Sequence, residues 1–325
     1  MAVLMARASA LLILFAIATQ GAQAQSSDWP NRPVKILVPF APGGSADTLG
    51  RIVADKLSAR FGQQFVVENK PGAGGLIAGT ETANAAPDGY TLTVSSVGAT
   101  IIAPAMNPKA TIHPIDDFTH IATFGGPPTV LLVQKDLPVT TLKEFIAYAK
   151  PQAGKLNYGS PGPGSHGNLI GELFQQKADI KMTHVVYRGA AHAIKDLVGG
   201  HISAASLTLT TAAGSIQGGN VRPLALTAAS RVPAFADIPT YKELGYPDLV
   251  AVTWFALSGP ARMPPEIVRQ LNAEVVKALK DPEVRKRLAN EAIDPEPFDA
   301  EQFTAFFKAE YERWTPIAQS SQKTQ

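Results

Sequence analysis

Apolar runs of strand length, each followed by a glycine- or proline-rich turn and then a helical pattern, recur along this chain. That recurrence constrains the fold more than any other feature. Residues 34–40 are the first run, 41–45 the turn, and residues 46–59 place Leu49, Ile52, Val53 and Leu57 on one helical face. Further strand-like runs lie at 64–68, 90–96, 120–124 and 129–134. A second series begins with a helix over 140–150, capped by Thr140 or Thr141, and continues with a strand at 156–160 and a helix at 167–176. Strands at 184–187, 202–207, 223–227 and 250–257 follow, then helices at 265–280, 282–290 and 300–317. Pro265 and Pro282 sit where first-turn prolines are tolerated. Alternating strands and helices predict an α/β fold of parallel sheets covered on both faces. Ligands of such sheets lie beyond the carboxyl ends of strands, where turns open into helices.

A chain of 325 residues is too long for one core and suits two lobes of ordinary domain size. It contains no cysteine, which removes thiolate, zinc-thiolate and redox roles. A formal net charge of +2 gives no cause to expect nucleic acid or an anionic membrane as partner. Arg7 precedes an uninterrupted apolar run over 10–18, and Ala22 and Ala24 are the small residues a signal peptidase reads. Residues 1–24 are therefore expected to be a cleaved secretory signal that sends the chain to the periplasm. The run is about half the ~20 residues that span a bilayer.

Two glycine-rich turns, one in each half, are the candidate binding site. Phe40 to Asp47 includes Gly43 and Gly44, which let the backbone approach a ligand closely, and then Ser45, Ala46 and Asp47 at a helix start. Such a start carries about half a positive charge and accepts an anion without lysine or arginine. Asp47 serves either this site or the cap of its own helix. The second turn, Tyr158 to Gly167, spaces Gly162, Gly164 and Gly167 as a dinucleotide fingerprint does. Pro163 stands where a backbone N–H should face pyrophosphate, so that reading fails. The same turn offers another anion-accepting helix start, with Ser165 and His166 as side-chain donors. Strand ends add Ser95, Arg188, His192, Ser206 and Thr208, each equally suited to turn or cap chemistry.

Catalytic patterns are missing. The chain has neither a G-x-S-x-G elbow nor an H-E-x-x-H pair, and its six histidines lack metal-ligand spacing. A serine nucleophile at Ser45 or Ser165 with His166 or His192 has no motif to support it. No cofactor or metal is expected.

Several of these stretches, in order, resemble the periplasmic receptors of tripartite tricarboxylate transporters, the Bug-type receptors. The resemblance rests on Trp29-Pro30, residues 34–47, Glu68 to Gly75, Ala86 to Leu92, Asp117-Phe118, Leu156 to Ser160, Tyr187-Arg188-Gly189 and Gly259-Pro260. It implies a two-lobed, type II-like periplasmic binding protein that closes on its ligand, with crossover strands near 121–125 and 252–257. One lobe would comprise 25–124 with 253–325, the other 125–252. It implies a binding protein, not an enzyme, that delivers a small organic acid, expected to be an aliphatic or aromatic dicarboxylate, to integral-membrane transporter subunits. A monomer is expected, since lobes that hinge open need to be free. A ligand carboxylate would be held by main-chain amides and ordered water between residues 40–47 and 158–166. Family members commonly carry acidic residues near the strand that starts at Ile202, whereas this chain has His201 and then Ser203. That departure argues against an amino acid ligand. His192, Ser206 and Thr208 would suit a second carboxylate or a hydroxyl. Phe40, Trp254 and Phe255 offer flat walls for an aromatic diacid such as terephthalate, or belong to the core. A sensory receptor that docks on a signalling protein is the alternative.

Overall fold

The first strand, β1 (Val34–Val38), buries Val34, Ile36, Leu37 and Val38 and leads into α1 (Ser45–Phe61) in a computed structural model that describes residues 29–290, 293, 295 and 298–322. The expected signal, 1–24, lies outside the described residues. Gly62 ends α1 in the left-handed region, φ 68°, and its N–H bonds the Ser58 carbonyl. Then come β2 (Phe65–Asn69), α2 (Leu76–Ala83) and β3 (Thr91–Ser96). A π-helical turn (Val97–Ile102) runs into the short α3 (Ala103–Met106), and β4 (Phe118–Gly125) leads out.

The chain next builds β5 (Thr129–Gln134), α4 (Leu142–Ala149), β6 (Asn157–Ser160), α5 (His166–Ala178) and β7 (Thr183–Val186). Thr141 caps α4 by accepting the Glu144 N–H at 3.2 Å. It continues with α6 (Ala190–Val198), β8 (Ala204–Thr208), α7 (Leu209–Gln217) and β9 (Val221–Leu226). The end returns as β10 (Phe255–Pro260), α8 (Pro265–Lys280), α9 (Pro282–Asn290) and α10 (Ala300–Gln322).

Two five-stranded sheets result, in the orders β2-β1-β3-β10-β4 and β7-β6-β8-β5-β9. The sheets are mixed, which corrects the expectation of wholly parallel ones. In the first, β10 is antiparallel to β3 and β4; in the second, β5 is antiparallel to β8 and β9. The cause is the double crossing. β5 and β10 are the strands that receive the chain from the other sheet, so they start at the end where their neighbours finish.

The strand expected at 250–257 is also displaced. Only Phe255–Pro260 joins a sheet, while residues 250–254 form the returning connection. There Val252 bridges Pro128, and the Thr253 N–H bonds the Pro127 carbonyl at 3.1 Å, so the two crossing segments pair with each other. The apolar character of that stretch has another use. Ala251 and Trp254 pack with Val97, Ile101, Leu169, Ile170 and Trp314 in one buried cluster. That cluster joins the π-helical turn, α5, the returning connection and α10.

Candidate functional site

Five helix starts face one another where the carboxyl ends of the two sheets meet. From the first sheet come α1 and the π-helical turn; from the second come α5, α6 and α7. The first-turn N–H groups of a helix have no partner within it, so each start presents donors and a partial positive charge. The cavity they enclose, about 40 Å³, is lined by Gly44, Ser45 and Ala46 of α1 and by Ser96 and Gly98 of the π-helical turn. Ser165, His166 and Gly167 line it from α5, Ala190 from α6 and Thr208 from α7. Phe40, Pro161, Thr253 and Phe255 complete the wall, so no lining side chain belongs to an aspartate, glutamate, lysine or arginine.

Each start is held by its own device. Gly43, at φ 88°, turns the chain into α1 in a region that other residues rarely adopt. The Asp47 carboxylate accepts the Gly43 N–H at 3.0 Å, the Asn69 amide at 2.9 Å and the Arg51 guanidinium at 2.9 Å. Asn69 also donates to the Phe40 carbonyl at 3.0 Å. Burial by itself would raise the Asp47 pKa, but the bonds from Arg51, Gly43 and Asn69 outweigh it and hold the carboxyl below its ordinary value. Asp47 therefore props the loop from within, with its charge compensated. Ser165 caps α5 through the Asn168 N–H at 3.2 Å, and Ser96 caps the π-helical turn through the Ala99 N–H at 3.1 Å.

His166 is buried and bound to the returning connection and to the first residue of β5. Its Nδ1 lies 2.6 Å from the Thr253 hydroxyl and 3.3 Å from the Thr129 hydroxyl, and its ring meets Trp314 edge-on at 5.3 Å. Burial, with a smaller contribution from Arg313, lowers its pKa to about 3, so the imidazole is neutral at ordinary pH. The two sheets also touch directly. The Ser45 and Thr208 hydroxyls are 2.8 Å apart, and the Ala41 N–H bonds the Arg188 carbonyl at 3.1 Å.

Of the residues singled out in the sequence, Phe40, Gly44, Ser45, Ala46, Ser165, His166, Thr208 and Phe255 line this cavity, whereas Trp254 is buried in the core. The others lie around it. Gly43 and Asp47 serve the loop. Ser95 points into the sheet and shares a 2.7 Å hydrogen bond with Ser258. Gly164 gives its N–H to Asn168 at 3.2 Å, and Ser206 is buried with its hydroxyl unbonded among the described residues. His192 is exposed. Arg188 lines a second, outer cavity. Thr253 and Ala190 were not singled out in the sequence, and Gly167 stood there only as the end of the second turn. Thr253 did carry a signal, as a lone hydroxyl within an apolar run.

Among the described residues no cluster of three histidines or carboxylates is placed to hold a metal ion. Nor do these residues give the Ser45 or Ser165 hydroxyl a histidine partner, since Ser45 meets Thr208 and Ser165 caps its helix. No helix among them is long and apolar enough to cross a membrane.

A family model described as a tripartite tricarboxylate transporter family receptor matches residues 49–322. Protein BugT of Bordetella pertussis is 33% identical over 320 residues, covering 98% of each chain. An R. palustris protein solved with adipate superposes at a TM-score of 0.86 with 33% identity, over 90% of this chain and 98% of that one. MatC from Rhodopseudomonas palustris, solved with bound malate, superposes at 0.84 with 32% identity, over 89% of this chain and 100% of that one.

Proposed function

The chain belongs to the tripartite tricarboxylate transporter receptor family, and from that premise we propose that it is a periplasmic receptor that captures a small carboxylate for a membrane transporter. The observation that carries the reading is the cavity enclosed by five helix starts without a charged side chain. Backbone N–H groups and helix dipoles favour an anion there, and the neutral imidazole of His166 adds no charge. The relatives solved with adipate and with malate make a carboxylate the first class to test.

In this reading Phe40, Gly44, Ser45, Ala46, Ser165, His166 and Thr208 contact the ligand, and Gly43 and Asp47 shape the first loop. The lobe boundaries proposed at 124/125 and 252/253 are supported by strand membership, since β1–β4 and β10 share one sheet and β5–β9 the other, with Gly125 as the last residue of β4. Binding would favour the closed arrangement through contacts from both lobes at once. The Ser45 and Ser165 hydroxyls at the cleft do not lie beside a base, which favours capture over catalysis.

Thermal unfolding and calorimetry with a panel of aliphatic and aromatic acids, including adipate and malate, test the proposal. A true ligand at about 100 times its Kd should raise Tm by roughly 5 °C. A complete panel that gives neither shift nor heat would end the carboxylate reading.

A further inference from the structure

We infer that Asn168 is a positioning residue: its side chain holds the turn before α5 in the shape that meets the ligand on one side and the first sheet's half of the molecule on the other, and it does so without charge. The part that concerns the ligand rests on the carboxylate reading above; the part that concerns the turn rests on the fold alone.

The second turn is propped as the first is. In the first, Gly43, at φ 88°, gives its N–H to the Asp47 carboxylate four residues on. In the second, Gly164, at φ 76°, gives its N–H to the Asn168 side-chain oxygen, also four residues on, at 3.2 Å. What stands behind each prop differs. Arg51 balances the Asp47 charge, whereas the buried Asn168 gives its side-chain N–H to the Tyr158 hydroxyl at 3.1 Å. That hydroxyl in turn donates to the Glu172 carboxylate. With its one hydrogen on Glu172, Tyr158 can only accept from Asn168, which leaves the amide oxygen for Gly164. Gly171, inside α5, makes room for the phenol ring, since a Cβ there would lie 2.5 Å from it. Among the described residues no lysine or arginine pairs with Glu172, so a carboxylate at 168 would have no counterpart of Arg51.

A peptide group is planar and trans, so fixing the Gly164 N–H also fixes the Pro163 carbonyl, which points the opposite way. That carbonyl faces Gly74, where a Cβ would come within 2.3 Å of its oxygen. Gly164 itself abuts α3, since a Cβ on it would lie 2.7 Å from the Ala103 Cα. Gly74 lies between β2 and β3 and Ala103 between β3 and β4, all strands of the first sheet. The turn is therefore seated against the opposite half of the molecule with no space to shift. Directly after it, Ser165, His166 and Gly167 line the cavity. One amide thus sets both contacts.

Hydrogen exchange at the Gly164 amide, followed by NMR without ligand, and calorimetry with the acid panel above, adipate and malate included, test this on three variants. Asn168→Ala should speed Gly164 exchange by at least about 10-fold and weaken binding of the acid about 10-fold. Tyr158→Phe, which frees the amide to rotate, should speed exchange by a smaller factor. Asn168→Asp keeps an oxygen for Gly164, so exchange should stay within about 3-fold of the parent, while the uncompensated charge behind the turn should weaken the acid at least about 10-fold. A residue that only supported the fold would not separate the two readouts in this way. Unchanged exchange in Asn168→Ala and Tyr158→Phe, or an Asn168→Asp that binds as tightly as the parent, would overturn the inference and leave the carboxylate reading standing. Failure of every acid to bind the wild type would overturn the carboxylate reading and the ligand part with it, and the exchange rates would then decide the turn part alone.

Discussion

Three buried or half-buried histidines carry a pH dependence that belongs to single residues. His120 is stacked on Phe307 at 3.7 Å, His166 is sealed by Thr129, Thr253 and Trp314, and His184 is stacked on Tyr158 at 4.8 Å. Burial lowers their pKa values from 6.5 to about 4, 3 and 4. Between pH 6.5 and those values the unfolded chain takes up protons that the native chain refuses. The stability they contribute is complete above pH 6.5 and is lost as the pH falls toward 4, by up to about 1.4 kcal/mol per pH unit for each histidine. Tm followed by circular dichroism should thus fall from pH 7 to pH 4.5. His120→Phe, which keeps a ring beside Phe307, should flatten that profile, and an unchanged slope would show that His120 does not contribute. Asp47 gives the opposite lesson. A carboxylate beside a proposed anion site looks repulsive, but its bonds to Gly43, Asn69 and Arg51 turn it inward.

Among the elements, α10 does the most to join distant parts of the chain. Its Phe303, Phe307 and Trp314 are buried against the π-helical turn, α5 and the returning connection. Glu310 of α10 accepts two indole N–H groups, from Trp254 at 2.8 Å and from Trp314 at 2.9 Å. Glu310→Leu would leave both donors without an acceptor in a largely buried place and should cost about 2–4 kcal/mol. Glu310→Gln keeps an acceptor oxygen and should cost less than half as much. Urea titrations of the two variants compare these values directly, and equal losses would mean that the indole bonds are not the source of the stability. The helix starts show why an element's role outruns its own sequence. The turns before α1 and α5 announce themselves by several glycines and a serine, whereas α6 follows the single Gly189 and α7 follows Thr208 directly from its strand.

For the whole molecule, closure depends on how near the two backbones can come. Gly98 of the π-helical turn faces the start of α5, and a Cβ at Gly98 would lie 2.9 Å from the His166 nitrogen and 3.2 Å from the Ser165 Cα. Backbone atoms on both sides cannot step aside as a side chain can. Gly98→Ala should therefore hold the lobes apart, weaken binding of whichever acid the wild type takes by roughly 10-fold or more, and leave each lobe folded. Small-angle scattering should then show a larger radius of gyration with ligand than the wild type has. The same affinity and radius in both proteins would show that this contact does not limit closure.

What could be read from the sequence was whatever depends on neighbours in the chain. Strand runs, the Thr141 cap, the glycine-turned starts at Ser45 and Ser165 and the number of lobes all follow from local spacing and from how much surface a chain of 325 residues can bury. Strand direction, the true place of the 250–257 run and the grouping of Ser96, Thr208 and Thr253 with those starts did not. They were settled by the chain crossing twice between the sheets, which reverses β5 and β10 and turns residues 250–254 from strand into connection. Residues more than a hundred positions apart, such as Ser45 and Thr208, come within hydrogen-bonding distance only once both sheets have packed. Composition shows that the chain has few local charges to offer an anion at its turns. Only the assembled fold brings the starts of α1, the π-helical turn, α5, α6 and α7 around one cavity, where the proposed anion would meet first-turn N–H groups in their place.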